Sequence, residues 1–390
     1  MSTISDVASL AGVSAMTVSR VVNHSGYVSA TTRARVDRAI AELGYVPNAL
    51  ARQLRSKRTK TLALVVSDIS NPFFTTIARG VEDVAVRHGF SVMYCNTDES
   101  EAEEAHYLLM LVERQVDGVL LVPARSSGTS LRLLQAHRIP AVVLDRRVAA
   151  RHVDSVRCDS EAGAHALTRH LIELGHRRIA VLTGRRAIST SVDRVAGCRR
   201  ALEEAGLTLP DELVHYGGFN FGKLNQADGH RMALDVLAAA TGRPTAIFAA
   251  NNFIAFGAIR ALHEAGLRVP EDMSVVAFDD LPAEWLSDPL LTVAAQPAYE
   301  IGRRAAAMLL ERIGGERVTE GEDVVLPFEL IVRRSSAAPS AQPGAAPSAQ
   351  PGAAPSALPE PPRPAPAAVG PAHARGAAAP RVAAGDVSVR

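Results

Sequence analysis

Between residues 61 and 278, short apolar runs alternate with amphipathic segments, and this alternation limits the fold more than any other feature of the chain. Apolar runs at 62–66, 91–94, 118–122 and 141–144 are separated by segments at 75–88, 101–114 and 130–137, whose apolar residues recur at helical spacing. A second series follows: helical patterns at 161–174, 192–205, 226–239 and 253–265 interleave with apolar runs at 179–182, 246–249 and 275–278. Strands that are apolar throughout, joined by helices of this length, build parallel sheets covered on both faces. Two such series predict an α/β body of two doubly wound lobes. Ligands of such sheets sit at the carboxyl ends of the strands, and between two lobes they sit in the cleft.

The first 60 residues follow another pattern. They hold nine Lys/Arg against three acids, a balance of +6 in a chain whose net charge is +1. Charge concentrated in this way marks a segment that meets a polyanion. Thr3 with Asp6 three residues on is a capping-box start, and Val7, Ala8 and Ala11 then share one helical face. Gly12 supplies a turn and Ser14 an N-cap for a second helix. There Val18, Val21 and Val22 pack inward, and Ala15, Met16, Thr17, Ser19, Arg20 and Asn23 are expected to face outward. Small or apolar groups suit thymine methyls, and an arginine can fork onto guanine, so this face suits the major groove. An ordinary helical hairpin is the bland alternative. Ser29 opens a third helix over 31–43, closed by Gly44. Pro47 can start a further helix over 48–56, too short to persist alone in water. Its Leu50, Ala51 and Leu54 lie among Arg52, Arg55 and Lys57, an apolar wedge that suits a minor groove as well as a plain linker.

Residues 3–58 closely resemble the DNA-binding headpiece of the LacI/GalR family of bacterial repressors. The matching residues are Thr3-Ile4-Ser5-Asp6-Val7-Ala8, Ala11-Gly12-Val13-Ser14, Thr17-Val18-Ser19-Arg20-Val21-Val22-Asn23 and Gly44-Tyr45-Val46-Pro47-Asn48. The resemblance implies that Ala15, Met16 and Arg20 read bases. It also implies that 48–56 is a hinge helix, with Asn48 and Ala51 at the DNA and Leu54 intercalated. The body, to about Arg334, resembles the family's effector domain, itself similar to periplasmic sugar-binding proteins. Its landmarks are Asp68-Ile69-Ser70-Asn71-Pro72-Phe73-Phe74, Leu144-Asp145-Arg146, Arg194-Val195-Ala196-Gly197, Asn251-Asn252, Ser274-Val275-Val276-Ala277-Phe278-Asp279-Asp280 and Leu291-Thr292-Val293 with Gln296-Pro297. The expected organisation is a helix-turn-helix headpiece at 1–46, hinge and linker at 47–60, a two-lobed ligand-binding and dimerisation domain at 61–334, and a tail at 335–390. In the tail Ala, Pro, Gly and Ser dominate and an eight-residue unit beginning at Ala337 recurs, a composition that predicts disorder.

Within the body, polar residues follow apolar strands: Asp145, Asn251 and Asp279, with Arg194 opening a helix. Sugar hydroxyls both give and accept hydrogen bonds and need such mixed partners. Phe73, Phe74, Phe219 and Trp285 are placed to stack on a ring. Asp279, Arg194 and Asn251 are therefore assigned to the ligand, with Asp145, Gln296, Phe73, Phe74 and Phe219 beside them. A strand cap or interlobe hydrogen bond is the competing role for each. The reading is a homodimeric repressor on a pseudo-palindromic operator, controlled by a small molecule. A sugar is favoured over a purine-like corepressor or a partner protein.

An enzyme is the rival class. The stretch 217–223 spells G-x-x-x-x-G-K, and 275–280 imitates a strand ending in acids. Leu224, however, stands where a phosphate loop needs Ser or Thr for magnesium, and Phe219-Asn220-Phe221 is bulky where amides must wrap a phosphate. No catalytic residue, metal or cofactor is expected. Cys95, Cys158 and Cys198 lack metal or disulfide spacing and read as core thiols in a reducing compartment. With no leader pattern and no membrane-length apolar run, the expected location is the cytoplasm, at the nucleoid.

Overall fold

The computed structural model describes residues 2–46, 58–149, 153–217, 225–239, 242–281, 290–316 and 320–340. The headpiece comprises α1 (Ile4–Ala11), α2 (Ala15–Val22) and α3 (Ala30–Leu43). Local signals set its boundaries. Thr3 and Asp6 close a capping box, Ser14 caps α2, Ser29 caps α3, and Gly12 and Gly44 end α1 and α3 in the left-handed conformation. Val7, Ala8, Ala11, Val18, Val21, Val36 and Ala39 form its small core. Arg35 donates to the carbonyls of Ala11 and Gly12, so it holds the end of α1.

The body opens with β1 (Thr61–Val66), α4 (Pro72–Arg87), β2 (Ser91–Asn96), α5 (Glu101–Glu113), β3 (Gly118–Leu121), α6 (Thr129–Ala136), β4 (Ala141–Leu144) and β5 (Asp154–Cys158). It continues with α7 (Ser160–Glu173), β6 (Ile179–Thr183), α8 (Ser189–Glu204), β7 (Val214–Tyr216), α9 (Asn225–Ala238), β8 (Ala246–Ala249), α10 (Asn252–Glu264) and β9 (Ser274–Phe278). It closes with β10 (Thr292–Ala295), α11 (Ala298–Gly314), β11 (Asp323–Leu326) and β12 (Glu329–Ile331). Two sheets result, ordered β11-β5-β4-β3-β1-β2 and β12-β10-β9-β8-β6-β7. All pairings are parallel except β10 with β12.

Burial on both faces explains the unbroken apolar runs. In the first sheet Leu62, Leu64, Val66, Leu120, Val142 and Leu144 meet α4 and α11 on one side. Ala63, Val65, Val119, Leu121 and Val143 meet α5 and α6 on the other. Full burial of each such Leu or Val side chain contributes about 1.5–3 kcal/mol. The α4–α11 packing brings backbones together: a Cβ on Gly80 would strike the Tyr299 carbonyl, and one on Gly302 the Ile77 carbonyl.

The two lobes are not two consecutive stretches of chain, as the two series suggested. The chain passes from the first sheet to α7 on the second lobe after β5, returns to the first with α11 after β10, and crosses again between β11 and β12. The strands β5, β7, β10, β11 and β12 were not anticipated. Residues 335–340, placed in the expected tail, pack on the second sheet among the described residues. Ser335 is buried, accepts from Thr292 N–H at 2.8 Å through its hydroxyl and donates to the Val275 carbonyl, and Ala337 bonds Ser274 and His176. The tail from 341 on, the loop around Phe219, Trp285 and the 48–56 helix lie outside the described residues.

Candidate DNA-reading face and effector cleft

On α2, Ser14, Ala15, Met16, Arg20 and Asn23 are exposed, Met16 by 63%, and Thr17 is half-buried. The aliphatic stem of Arg20 rests over Gly26, leaving the guanidinium beyond it. Ser19 corrects the outward set. It is 8% exposed, and its hydroxyl and carbonyl accept from Asn23 Nδ2 at 3.2 and 2.8 Å. Ser19 lies one position from Val18 and three from Val22, so its small side chain turns toward the core side of α2. Asn48, Ala51 and Leu54 fall outside the described residues.

The second site is a cavity of about 270 Å³ between the lobes, at the carboxyl ends of both sheets. Asp145, Arg194, Asn251, Asp279, Gln296, Phe73 and Phe74 all line it, whereas Phe219 is not among the described residues. Asp145 ends β4 and Asp279 ends β9, which hold the same place, third in order, in their sheets. Both aspartates adopt positive φ, 63° and 67°. That conformation is disfavoured for residues with a side chain and is tolerated best by Asn and Asp, and it clusters at binding sites.

Neighbouring groups hold these carboxylates. Gln296 Nε2 donates to Asp279 Oδ1 at 2.6 Å. Burial pushes the Asp279 carboxyl up to about 6, against the pull of Arg194 and the Gln296 hydrogen bond. Burial raises Asp145 too, opposed by Arg146 and Arg194. The Arg194 guanidinium lies 3.9 Å over the Phe278 ring and donates from Nη1 to the Ala250 carbonyl. Among the described residues its Nε and the Asp145 Oδ1 are buried without a hydrogen-bond partner, and both residues line the cavity. A buried polar atom left unpaired costs about 1–3 kcal/mol, which a ligand hydroxyl would remove. Asn251 has a double position. Its Oδ1 accepts from Ile254 N–H at 2.8 Å and caps α10, which leaves its amide donor for the cavity. Phe73 and Phe74 are each 6% exposed, meet edge to face at 5.1 Å and both line the cavity.

Sequence reasoning missed much of the wall. Asp68, Asp98, Glu99, Arg146, Arg185, Thr190, Ser191 and Asp228 also line it. Most follow β1, β2, β4 or β6, so the strand-end rule that found Asp145 would have found them. The lobes are stitched along one rim: Arg147 pairs with Asp193 across the cleft, Arg147 N–H donates to Ser189 Oγ at 2.8 Å, and Ser189 N–H to Ser126 Oγ at 3.0 Å. At another point Asn71 meets Asn252 at 3.5 Å. Cys95, Cys158 and Cys198 are buried free thiols, and burial pushes the last two up to about 12. Among the described residues no group of His, Cys, Asp and Glu is placed to hold a metal.

Comparison with known proteins matches residues 3–48 to the model of bacterial regulatory proteins of the lacI family. Residues 59–334 match that of periplasmic binding proteins and the sugar-binding domain of the LacI family. The chain belongs to the LacI family of bacterial regulatory proteins. It is 38% identical over 315 residues to the HTH-type transcriptional repressor PurR of Vibrio cholerae serotype O1 (strain M66-2), covering 80% of this chain and 92% of that protein. Among solved structures it is similar to the transcriptional regulator CelR in complex with cellobiose, with 37% identity and a TM-score of 0.64 over 86% of this chain and all of that one. It is also similar to the Lac repressor dimer bound to operator and the anti-inducer ONPF, with 30% identity and a TM-score of 0.72 over 86% of this chain and 99% of that one. This LacI-family member is thus a DNA-binding transcriptional regulator with a small-molecule effector site, and its relatives are regulators rather than enzymes.

Proposed function

We propose that the protein represses transcription from the cytoplasm as a homodimer on a pseudo-palindromic operator, and that a sugar in the interlobe cleft controls it. A two-fold dimer places one α2 in each of two half-sites. In that reading Ser14, Ala15, Met16, Thr17, Arg20 and Asn23 meet DNA, with Asn48, Ala51 and Leu54 supplying hinge contacts. Asp279, Arg194, Asn251, Asp145 and Gln296 hold the ligand, with Phe73, Phe74 and Phe219 at its edges. The observation that carries the sugar assignment is the pair of unpartnered buried atoms, Asp145 Oδ1 and Arg194 Nε. One accepts and one donates, as neighbouring hydroxyls require.

A purine corepressor is the second reading, favoured by the PurR relatives. A flat base would stack on an aromatic ring, and Phe73 and Phe74 both line the cleft, so the aromatic lining fits either ligand. Thermal unfolding of the full chain against sugars and nucleobases separates the two. A ligand at a hundred times its Kd stabilises by about 2.7 kcal/mol, and the expected result is a shift with a sugar that disappears in Asp279→Ala. A shift with hypoxanthine or guanine alone overturns the sugar assignment. The ligand acts through whichever lobe arrangement it prefers.

A further inference from the structure

The cavity wall carries more negative than positive groups: Asp68, Asp98, Glu99, Asp145, Asp228 and Asp279 against Arg146, Arg185 and Arg194. Each of the three guanidiniums already holds a partner, although Arg146 Nε and Arg194 Nε have no hydrogen-bond partner among the described residues. Arg146 pairs with Glu99 at 2.6 Å, Arg194 bonds the Ala250 carbonyl, and Arg185 donates to the Glu99 carbonyl at 3.1 Å. Two carboxylates on the first lobe, by contrast, touch only neutral groups among the described residues. Asp68 Oδ1 accepts from the Ser70 N–H and hydroxyl at 2.9 and 2.6 Å. Asp98 Oδ1 accepts from Asn96 Nδ2 at 2.7 Å. Asp98 is exposed and Asp68 half-buried, and both carboxylates line the cavity.

The cavity of about 270 Å³ leaves room for a small molecule, and a further hollow of about 510 Å³ shares Phe73, Asp279 and Gln296 with it. The interior still asks for polar contact, because Asp145 Oδ1 and Arg194 Nε lack partners and their residues are 7% and 6% exposed.

We propose that the cleft selects an uncharged sugar and rejects its phosphorylated form, with Asp68 and Asp98 as the residues that reject it. The assignment rests on the sugar reading above and narrows it. Like charges brought together in a partly desolvated cleft cost several kcal/mol, and a phosphate near neutral pH carries close to two charges. Neutral hydroxyls meet no such barrier.

The test uses the full-length protein and calorimetric titration with free hexoses and pentoses, their terminal phosphates and disaccharides. The wild type is expected to bind one free sugar at least about tenfold more tightly than its phosphate. In Asp68→Asn/Asp98→Asn the ratio of phosphate affinity to free-sugar affinity should rise severalfold. Equal or tighter binding of the phosphate by the wild type overturns the proposal, as does a double variant in which the gap does not narrow. If no saccharide of any kind binds and a nucleobase does, the sugar reading itself falls, and this proposal with it. Unchanged melting of the apo double variant excludes misfolding as the cause.

Discussion

Asp279 is an expensive residue for the empty protein. Its carboxyl is 5% exposed, held at positive φ, and pushed by burial to about 6 from an ordinary 3.8. The native form keeps the proton through a window in which the unfolded chain has lost it. The stability this group contributes is therefore greatest below about pH 4 and falls as the pH rises through 6, by about 3 kcal/mol. Asp279→Asn should flatten that decline and melt higher than wild type at pH 8, while losing the ligand response. Melting curves between pH 4 and 8 check this, and a parallel pH profile in the two proteins would refute it. Ligand affinity in the wild type should rise with pH through about 6, since the ionised carboxylate accepts hydroxyl hydrogen bonds best. At this scale the sequence was informative. Asp145, Asp279 and Asn251 end apolar strands, and in a parallel sheet that position alone places a residue at the ligand edge. Ser19 was misread because a polar residue in a short helix was taken to face outward, whereas its phase relative to Val18 and Val22 decides its direction.

Among the elements, α2 presents the exposed guanidinium of Arg20, the base reader proposed above. Arg20→Ala should reduce the preference for operator over scrambled DNA by about 1–3 kcal/mol, read by competition anisotropy; an unchanged preference would move the reading residue elsewhere. The cleft rim depends on a pair that touches neither DNA nor cavity. Asp193 adjoins Arg194 in α8, and Arg147 lies two residues beyond Asp145, so their ion pair ties together two segments that line the cavity. Arg147 is half exposed, which limits the pair to about 1 kcal/mol. Arg147→Ala is expected to weaken effector binding by up to about fivefold with little change in melting; full affinity would mean that the pair does not hold the lobes. The α4–α11 crossing is less forgiving. Gly302→Ala would press a methyl into the Ile77 carbonyl and should cost about 1–3 kcal/mol or more in denaturant unfolding, and a neutral result would show that the helices part freely. Helices with local caps were legible in sequence: Thr3, Ser14, Ser29 and Gly44 mark their own ends. The strands β7, β11 and β12 were not, because three or four residues carry too little period, and their partners lie far away in sequence.

For the molecule as a whole, the two lobes repeat one plan. Read from the second position on, β5-β4-β3-β1-β2 in one sheet corresponds to β10-β9-β8-β6-β7 in the other, with β11 and β12 completing the same edge of each. The alternating sequence pattern announced that repeat but not the exchange of segments between lobes. The exchange has a consequence for how the protein comes into being. The first lobe begins at Thr61, yet α11 and β11, which cover and extend its sheet, leave the ribosome only after nearly the whole second lobe. Until then Ile77, Val81, Leu120 and Val142 lack the apolar cover of Ile301, Ala305 and Leu309. A chain cut after residue 296 should therefore fail to unfold cooperatively and should expose dye-binding apolar surface, although it contains most of both sheets. A sharp, wild-type-like transition from that fragment would refute the dependence. In the growing chain, the half of the cleft that bears Asp145 has to wait for residues made more than 150 positions later, so a nascent regulator has no finished effector site until its synthesis is almost complete.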